Sequence, residues 1–366
     1  MTYSIDGVLL RSSAAIPGAS EALALLHKER IPFILLTNGG GKHESDRVAE
    51  LSGKLSVPLD TSMFVQSHTP FAELVHGVGG REGLKDKCIM VLGGDYGKCR
   101  DVAESYGFTN VVKPGDIFAA YPEIWPFSKV FADYYRSFAR PLPRPINQYD
   151  PENSLKIDAI FVFSDPRDWA LDIQILLDVL LSRNGILGTY SLKNNDRSLS
   201  NNGYQQDGQP PLYFSNADLL WAAGYHLSRL GQGGFREAFE GVWGAVTGGP
   251  REGVQLLKNV IGKPFKETYD FAENRLIQHR EHLFDGVVQK VPLRTVYMVG
   301  DNPDSDIRGA NTYQSRHGIE WVSLLTRTGV FKDRPGDVPS WRPRQIVDDV
   351  SAAVKWALKN SKWPVF

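Results

Sequence analysis

The sequence predicts an α/β chain, a parallel sheet covered by helices and interrupted by a large second α/β unit. Three observations carry this. Strand-like and helix-like runs alternate at both ends of the chain. The strand-like run 31–36 is continuously apolar, the pattern of a strand buried on both faces, and 295–299 reads as a second buried strand. Between the two ends lies a proline-rich stretch, with Pro114, Pro122, Pro126, Pro141, Pro143, Pro145 and Pro151, where helices must be short. With 366 residues, 42% of them hydrophobic, the chain has material for about two cores.

Taken in order, residues 2–5 read as a short β-branched and aromatic strand ended by Gly7. Residues 14–30 read as an amphipathic helix with Pro17 in its first turn. The strand at 31–36 turns through Thr37-Asn38-Gly39-Gly40-Gly41 into a helix over 43–55, and 63–65 is a further short strand. In the middle, 88–92 is a strand ending in Gly93-Gly94, 101–106 a helix, 110–112 extended, 159–163 a strand and 171–182 a strong helix. Residues 193–211, rich in Asn, Gln and Gly, form a long surface loop before a strand at 212–214. From about Leu230 the first pattern resumes, with helices over 252–260 and 268–281, strands at 295–299 and 321–325, and a closing helix at 350–359. The expected division is a core of 1–80 and 229–366 around an insertion of 81–228.

Composition narrows the function. With 41 Lys+Arg against 42 Asp+Glu the formal net charge is −1, which gives no electrostatic reason to expect nucleic acid or a membrane surface as partner. Cys88 and Cys99 are too few for a disulfide scaffold, match no zinc ligand set and suit a reducing compartment. No run reaches the roughly 18 apolar residues of a membrane span. The opening Met-Thr-Tyr-Ser-Ile-Asp has no basic run and no cleavable apolar segment, so no presequence is expected in this chain.

Four polar stretches stand out because ligands bind at the carboxyl ends of strands in open α/β sheets. They are Ser4-Ile5-Asp6-Gly7, Thr37-Asn38-Gly39, Gly262-Lys263-Pro264 and Gly300-Asp301-Asn302-Pro303-Asp304-Ser305-Asp306. Ser4 and Asp6, two apart, point to one side. Asp301 can meet them, and carboxylates with a backbone carbonyl and waters suit Mg²⁺. Thr37 and the glycines after it offer a hydroxyl and N–H groups for a phosphate. Lys263 supplies a balancing positive charge. Each stretch alone has a plainer reading, as a turn, a loop or a helix start. Four in this order describe a phosphoryl-transfer site.

The order resembles the four signatures of haloacid-dehalogenase-like (HAD) hydrolases. The wording is closest to subfamily IIA, in Ile5-Asp6-Gly7-Val8-Leu9-Leu10, Leu36-Thr37-Asn38-Gly39-Gly40-Gly41, Gly262-Lys263-Pro264 with Thr268-Tyr269-Asp270-Phe271-Ala272, and Gly300-Asp301-Asn302-Pro303 with Ser305-Asp306-Ile307. The long insertion, Phe214-Ser215-Asn216-Ala217-Asp218 and Arg229-Leu230-Gly231-Gln232-Gly233 resemble the branch named after the cat-eye-syndrome critical region. The resemblance implies a Rossmann-like HAD core with an inserted cap and Mg²⁺-dependent hydrolysis of a small phosphorylated metabolite. It implies that Thr37, Asn38 and Lys263 hold the phosphate. Asp6 acts as acid and base. Asp6, through its carbonyl, and Asp301 hold the metal, with Asp306 behind it. Relatives of this branch imply a mitochondrial location, with the cytoplasm as alternative.

One position departs from the pattern. Ser4 stands where the family has its nucleophilic Asp, which also binds Mg²⁺. A serine hydroxyl is a weak nucleophile without an activating base, and no His lies in the four stretches. Three accounts stay open: an inactive pseudo-phosphatase acting as a binding or scaffold protein, a chain start that replaces an upstream strand and Asp, or a variant with residual activity. The shortness of the first strand favours the second. Lesser features have structural readings. His279 and His282, three apart, could share a metal but are expected on a solvated helix face; His68, near a hinge, has a pocket-lining and a structural reading alike; and Trp125, Trp169 and Trp221 are expected in the core of the insertion, with the floor of a substrate cleft as the alternative for one or two of them. Gly231-Gln232-Gly233-Gly234 reads as a helix start.

Overall fold

Along the strands, alternate side chains enter different apolar layers. Leu35 joins one core with Tyr3, Leu23, Leu51 and Leu324, while its neighbours Ile34 and Leu36 join another with Tyr269, Leu276, Met298 and Trp321. Such alternation is what a parallel sheet covered by helices on both faces requires. Each of these fully buried side chains contributes roughly 1.5–3 kcal/mol.

The computed structural model describes every residue except 78, 79, 81, 285–291, 333, 335 and 364–366. The chain divides into two compact units. The first comprises Met1–Thr69, Asn216–Gly231 and Ile261–Phe366; the second comprises Pro70–Ser215 and Gln232–Val260.

The first unit holds a six-stranded parallel sheet in the order Gln345–Val347, Glu320–Thr326, Thr295–Gly300, Thr2–Tyr3, Ile34–Leu36, Phe64–Val65. Tyr3 pairs with Val299 on one side and Leu35 on the other. The chain thus starts mid-sheet, builds outward in one direction, and later returns to build in the other. The winding reverses between Thr2–Tyr3 and Thr295–Gly300, which opens a crevice at their carboxyl ends. Helices Ala19–Lys28, Glu44–Leu55, Lys266–Leu283 and Val350–Asn360 belong to this unit.

Two expected helices differ. The one predicted over 14–30 begins at Ala19, because Leu10–Arg11 and Ala14–Ala15 pair as a hairpin and Gly18, at φ +83°, precedes the first turn. The one predicted over 252–260 does not form. Gly248 and Gly253 take positive φ on either side of one 3-10 turn, Gly249–Glu252, and Asn259–Val260 is a strand.

The second unit has its own five-stranded parallel sheet, in the order Asn259–Val260, Leu212–Phe214, Ala159–Val162, Cys88–Leu92, Asn110–Val112. Helix Trp169–Leu181 supplies its aliphatic core with Leu171, Ile175, Leu176 and Leu180. Aromatic rings gather elsewhere on the sheet: Tyr213 stacks on Phe161 at 4.9 Å, and Phe71 meets Phe161 edge-on at 4.9 Å. Arg100 and Asp116 form a buried ion pair at 2.6 Å. Trp125 and Trp169 pack on this core as expected, and both cysteines are free.

The chain changes unit at places composition does not mark. The second unit opens at Pro70, before the expected boundary at residue 81, which lies outside the described residues. Residues 216–231 already belong to the first unit, and Gln232–Val260 goes back to the second. Of the core expected from residue 229, residues 229–231 lie in the first unit, 232–260 do not, and the unit continues from Ile261. Trp221, expected in the core of the insertion, lies on the connector, 40% exposed.

Candidate active site

Ser4 directly follows the Thr2–Tyr3 strand, and its N–H donates to Val299 O at 2.9 Å, extending the sheet bonding. Asp6 comes two residues later and is half-buried. Gly7 at φ +80° turns the chain, and its N–H donates to Leu10 O at 2.8 Å. Burial pushes the Asp6 carboxyl above its ordinary range, against the opposing pull of Arg47, Lys263 and Lys54.

Thr37 follows the Ile34–Leu36 strand, with its N–H on Val65 O at 3.0 Å. Its Oγ1 accepts from Gly39 N–H at 2.9 Å. A Cβ built on Gly39 would lie 3.2 Å from Thr37 Oγ1 and 3.6 Å from Asp6 Oδ2, so both groups face the same small space. The glycine loop is held from inside the protein. Gly41 N–H donates to His68 Nε2 at 2.9 Å, and the following helix starts only at Glu44. Two of the amides expected to cradle an anion, those of Gly39 and Gly41, are thus engaged by the loop's own surroundings. His68 is fully buried, and desolvation pushes its pKa down to about 4, so it is neutral at pH 7.

Lys263 is the hub. Its Nζ donates to Ser4 Oγ at 3.0 Å, Leu36 O at 3.0 Å and Asp306 Oδ1 at 2.6 Å. Those contacts match the three donors of an ammonium. Asn38 grips the main chain of the same residue, its Oδ1 accepting from Lys263 N–H at 2.7 Å and its Nδ2 donating to Lys263 O at 2.9 Å. Asn38, expected on the phosphate, is thereby a staple for Lys263.

Asp301 and Asp306 follow the Thr295–Gly300 strand. Asp306 Oδ2 accepts from the N–H groups of Asp301 at 3.0 Å and Asn302 at 3.1 Å, while Oδ1 takes Lys263. With both oxygens engaged, Asp306 organises the turn behind the site. Asp301 Oδ2 accepts from Val330 N–H at 2.7 Å. Burial, and then the neighbouring Asp306 charge, push the Asp301 carboxyl well above its ordinary range. Three glycines make room for these carboxylates: a Cβ would meet Asp301 Oδ2 at 2.3 Å from Gly7 and 1.9 Å from Gly329, and Asp306 Cβ at 2.1 Å from Gly300.

One residue that the sequence reading gave no chemical role is Asp218. The connector places this half-buried residue within the fields of Lys263 and Asp306. Burial first, then the Asp306 charge, push it up to about 7 against the pull of Lys263. A carboxylate just after the Leu212–Phe214 strand was the available signal.

Among the described residues no group of three His, Cys, Asp or Glu side chains is set to hold a metal. The donors present are one carboxylate, Asp301, whose Oδ2 also takes the Val330 N–H, and main-chain oxygen. That suits Mg²⁺, which keeps several waters and takes one or two carboxylates. His279, expected on a solvated face, is buried with Nδ1 3.5 Å from Ser62 Oγ, whereas His282 is exposed.

Sheet order, crevice and the inserted second unit define a Rossmann-like α/β core interrupted by a second α/β domain. The haloacid dehalogenase-like hydrolase model matches residues 1–109, and a HAD-hydrolase-like model matches 260–353. A mitochondrial hydrolase of Saccharomyces cerevisiae is 39% identical over 374 residues, covering 98% of this chain and 95% of that protein. A cardiolipin synthase (CMP-forming)/mitochondrial hydrolase fusion protein of Schizosaccharomyces pombe is 40% identical over 359 residues, covering 98% of this chain but 52% of its own length. The chain therefore spans about half of that relative. The solved 4-nitrophenylphosphatase of Thermotoga maritima shares the fold at a TM-score of 0.57 and 16% identity, covering 97% of this chain and 95% of that one. The chain belongs to the haloacid dehalogenase-like hydrolases.

Proposed function

We propose that the first unit is a phosphate-monoester hydrolase site whose turnover is held down by serine at position 4. The observation that carries this is Lys263, whose Nζ reaches Ser4 Oγ at 3.0 Å while Asp306 holds it at 2.6 Å. A fixed ammonium beside the nucleophile's position is what an incoming phosphate dianion needs. Thr37 Oγ would orient the phosphate. Asp6, which faces the same space, would give its proton to the leaving oxygen and then take one from water. Its burial favours the proton-bearing form that this role requires. Asp301 and the Asp6 carbonyl would hold Mg²⁺, which supplies positive charge against the phosphate oxygens when bound.

Ser4 Oγ accepts from the Lys263 Nζ, whose donors are also spent on Leu36 O and Asp306 Oδ1, so Lys263 is no base for it. Loss of a nucleophile costs on the order of 10⁶ in rate where measured. The same bond supports a second reading, a catalytically inactive protein that binds a small phosphorylated metabolite. A mitochondrial location is proposed from the names of the two yeast relatives.

The test is phosphate release from 4-nitrophenyl phosphate with Mg²⁺, on this chain and on Ser4→Asp. The expected result is turnover by Ser4→Asp at least 10³-fold above the serine chain, a floor well under the roughly 10⁶ that a nucleophile contributes where measured. If both chains are folded and inactive, the inactive binding protein gains. If the serine chain is as fast, serine does not hold turnover down.

A further inference from the structure

The second unit has a crevice of its own. Its first strand, Cys88–Leu92, has the second, Asn110–Val112, on one side and the third, Ala159–Val162, on the other, with the fourth and fifth beyond the third. The winding therefore reverses between the first strand and the third, and doubly wound sheets bind ligands at the carboxyl ends of such a pair. The loops leaving these two strands meet. Gly94 N–H donates to Asp165 O at 3.2 Å, and a Cβ on Gly93 would stand 2.0 Å from Ser164 O. Beside them lies a cavity of about 30 Å³, whose charged lining is Lys113, Arg167, Asp168 and Asp172. Tyr96, Tyr134 and Phe138 line it as well.

Two of those four charges are engaged. Asp168 accepts from Ser128 Oγ at 2.8 Å, Tyr135 Oη at 2.7 Å and Leu171 N–H at 3.2 Å. Arg167 donates from Nε to Asp95 Oδ1 and from Nη1 to Asp165 O, both at 2.8 Å. The other two have capacity left. Lys113 is 5% exposed, and of its three N–H donors one is placed on Gly93 O, at 3.1 Å. Asp172 is 8% exposed, and among the described residues nothing donates to its carboxylate or pairs with it. A buried carboxylate facing a cavity without a partner is a costly arrangement unless something fills the cavity.

We propose that this cavity binds the uncharged amide edge of a small flat molecule, with its C=O on Lys113, its N–H on Asp172 and its ring on the aromatic wall. The proposal is independent of the phosphate-monoester reading of the first unit. An anion would answer Lys113 but meet the open Asp172 carboxylate. A cation would answer Asp172 but meet Lys113. A neutral group with a donor and an acceptor side by side answers both. Size agrees. One water needs roughly 10–15 Å³, so the cavity takes two or three atoms, the extent of N–C=O. The rest of the ligand then lies beyond it, along the aromatic wall. The Tyr134 ring packs on Tyr96 at 5.0 Å and on Phe138 at 5.2 Å, and Tyr96 is 52% exposed, so the wall runs from the cavity out to the surface. A flat ring is what such a wall stacks with.

Benzamide, benzoate and benzylamine test this, because they share one ring and carry a neutral amide, an anion and a cation. Their binding to the whole chain is followed by ligand-detected nuclear magnetic resonance at pH 8. That lies above the Asp172 carboxyl, which burial pushes up to about 7. Benzamide is expected to bind at least tenfold tighter than either ion, the worth of one charge-assisted hydrogen bond. Asp172→Asn leaves Lys113 unopposed and should move the preference at least tenfold toward benzoate. Lys113→Met should move it toward benzylamine. Circular dichroism checks each fold, and if Lys113→Met does not fold, Asp172→Asn decides alone. Equal affinity for the three probes, or a ranking that Asp172→Asn leaves unchanged, overturns the proposal. So does displacement of benzamide by inorganic phosphate, which would put it in the first unit's site. If none of the three binds, the cavity holds water alone and the proposal falls.

Discussion

The carboxamide of Asn38 pairs with the main chain of Lys263, 225 positions away, accepting at 2.7 Å and donating at 2.9 Å. This is a strand-like bridge made by a side chain. It fixes the backbone from which the lysine projects, so the ammonium arrives at Ser4 already aimed.

Replacing Asn38 by Leu removes the bridge and leaves the Lys263 N–H and C=O buried without partners. The expected loss is about 2–4 kcal/mol of unfolding free energy, from two unsatisfied groups. Urea denaturation measures it. A loss under 0.5 kcal/mol would show that the bridge is dispensable.

Lys263 and Asp306 are 2% and 1% exposed. Lys263→Met should cost on the order of 3–5 kcal/mol, because Asp306 is left charged and buried. Adding Asp306→Asn should recover part of that loss, since the amide carbonyl can still accept from the Asp301 and Asn302 amides. Strict additivity of the two changes in a double-mutant cycle would contradict the pairing.

Gly329 has no room for a methyl group, since its Cβ would stand 1.9 Å from Asp301 Oδ2. Gly329→Ala should push Asp301 aside. In the Ser4→Asp background, the Mg²⁺ concentration for half-maximal phosphate release should rise at least tenfold. Overpacking should cost about 1–3 kcal/mol as well. An unchanged Mg²⁺ requirement would remove Asp301 from the metal's ligands.

His68 predicts a pH dependence of stability. Its folded pKa, about 4, is below the ordinary 6.5, so the unfolded chain takes up the proton first. The contribution is fully present above pH 6.5, is lost as pH falls toward 4, and is flat below that. The total is on the order of 3 kcal/mol. His68→Gln keeps an acceptor for Gly41 N–H and should flatten this part of the stability profile. A variant profile parallel to the parent's would mean that other groups set the slope.

The four stretches that meet at Lys263 were legible because each is a polar exception right after an apolar run. Asp218 was not, for a topological reason. The expected insertion, 81–228, included it, although residues 216–231 belong to the first unit. The change of unit after Ser215 leaves no mark in composition. His68 carries no local signal either, because its partner is a glycine amide 27 positions earlier. The helix predicted over 252–260 failed on glycine at its start: Gly253, the one glycine within it, takes φ +75°, an angle that a helix excludes.

The two units are nested like brackets, with changes at 69–70, 215–216, 231–232 and 260–261. A ribosome making this chain has finished every residue of the inner unit at Val260. The outer unit then still lacks Lys263 and the strand Thr295–Gly300, one of the two neighbours of its first strand. Thr2 and Tyr3 must wait for partners almost three hundred residues later in the sequence, Met298 and Val299. A piece cut as 70–215 would lack helix Gln232–Thr247 and the edge strand Asn259–Val260. Neither unit can therefore be excised as one uninterrupted stretch of its own residues.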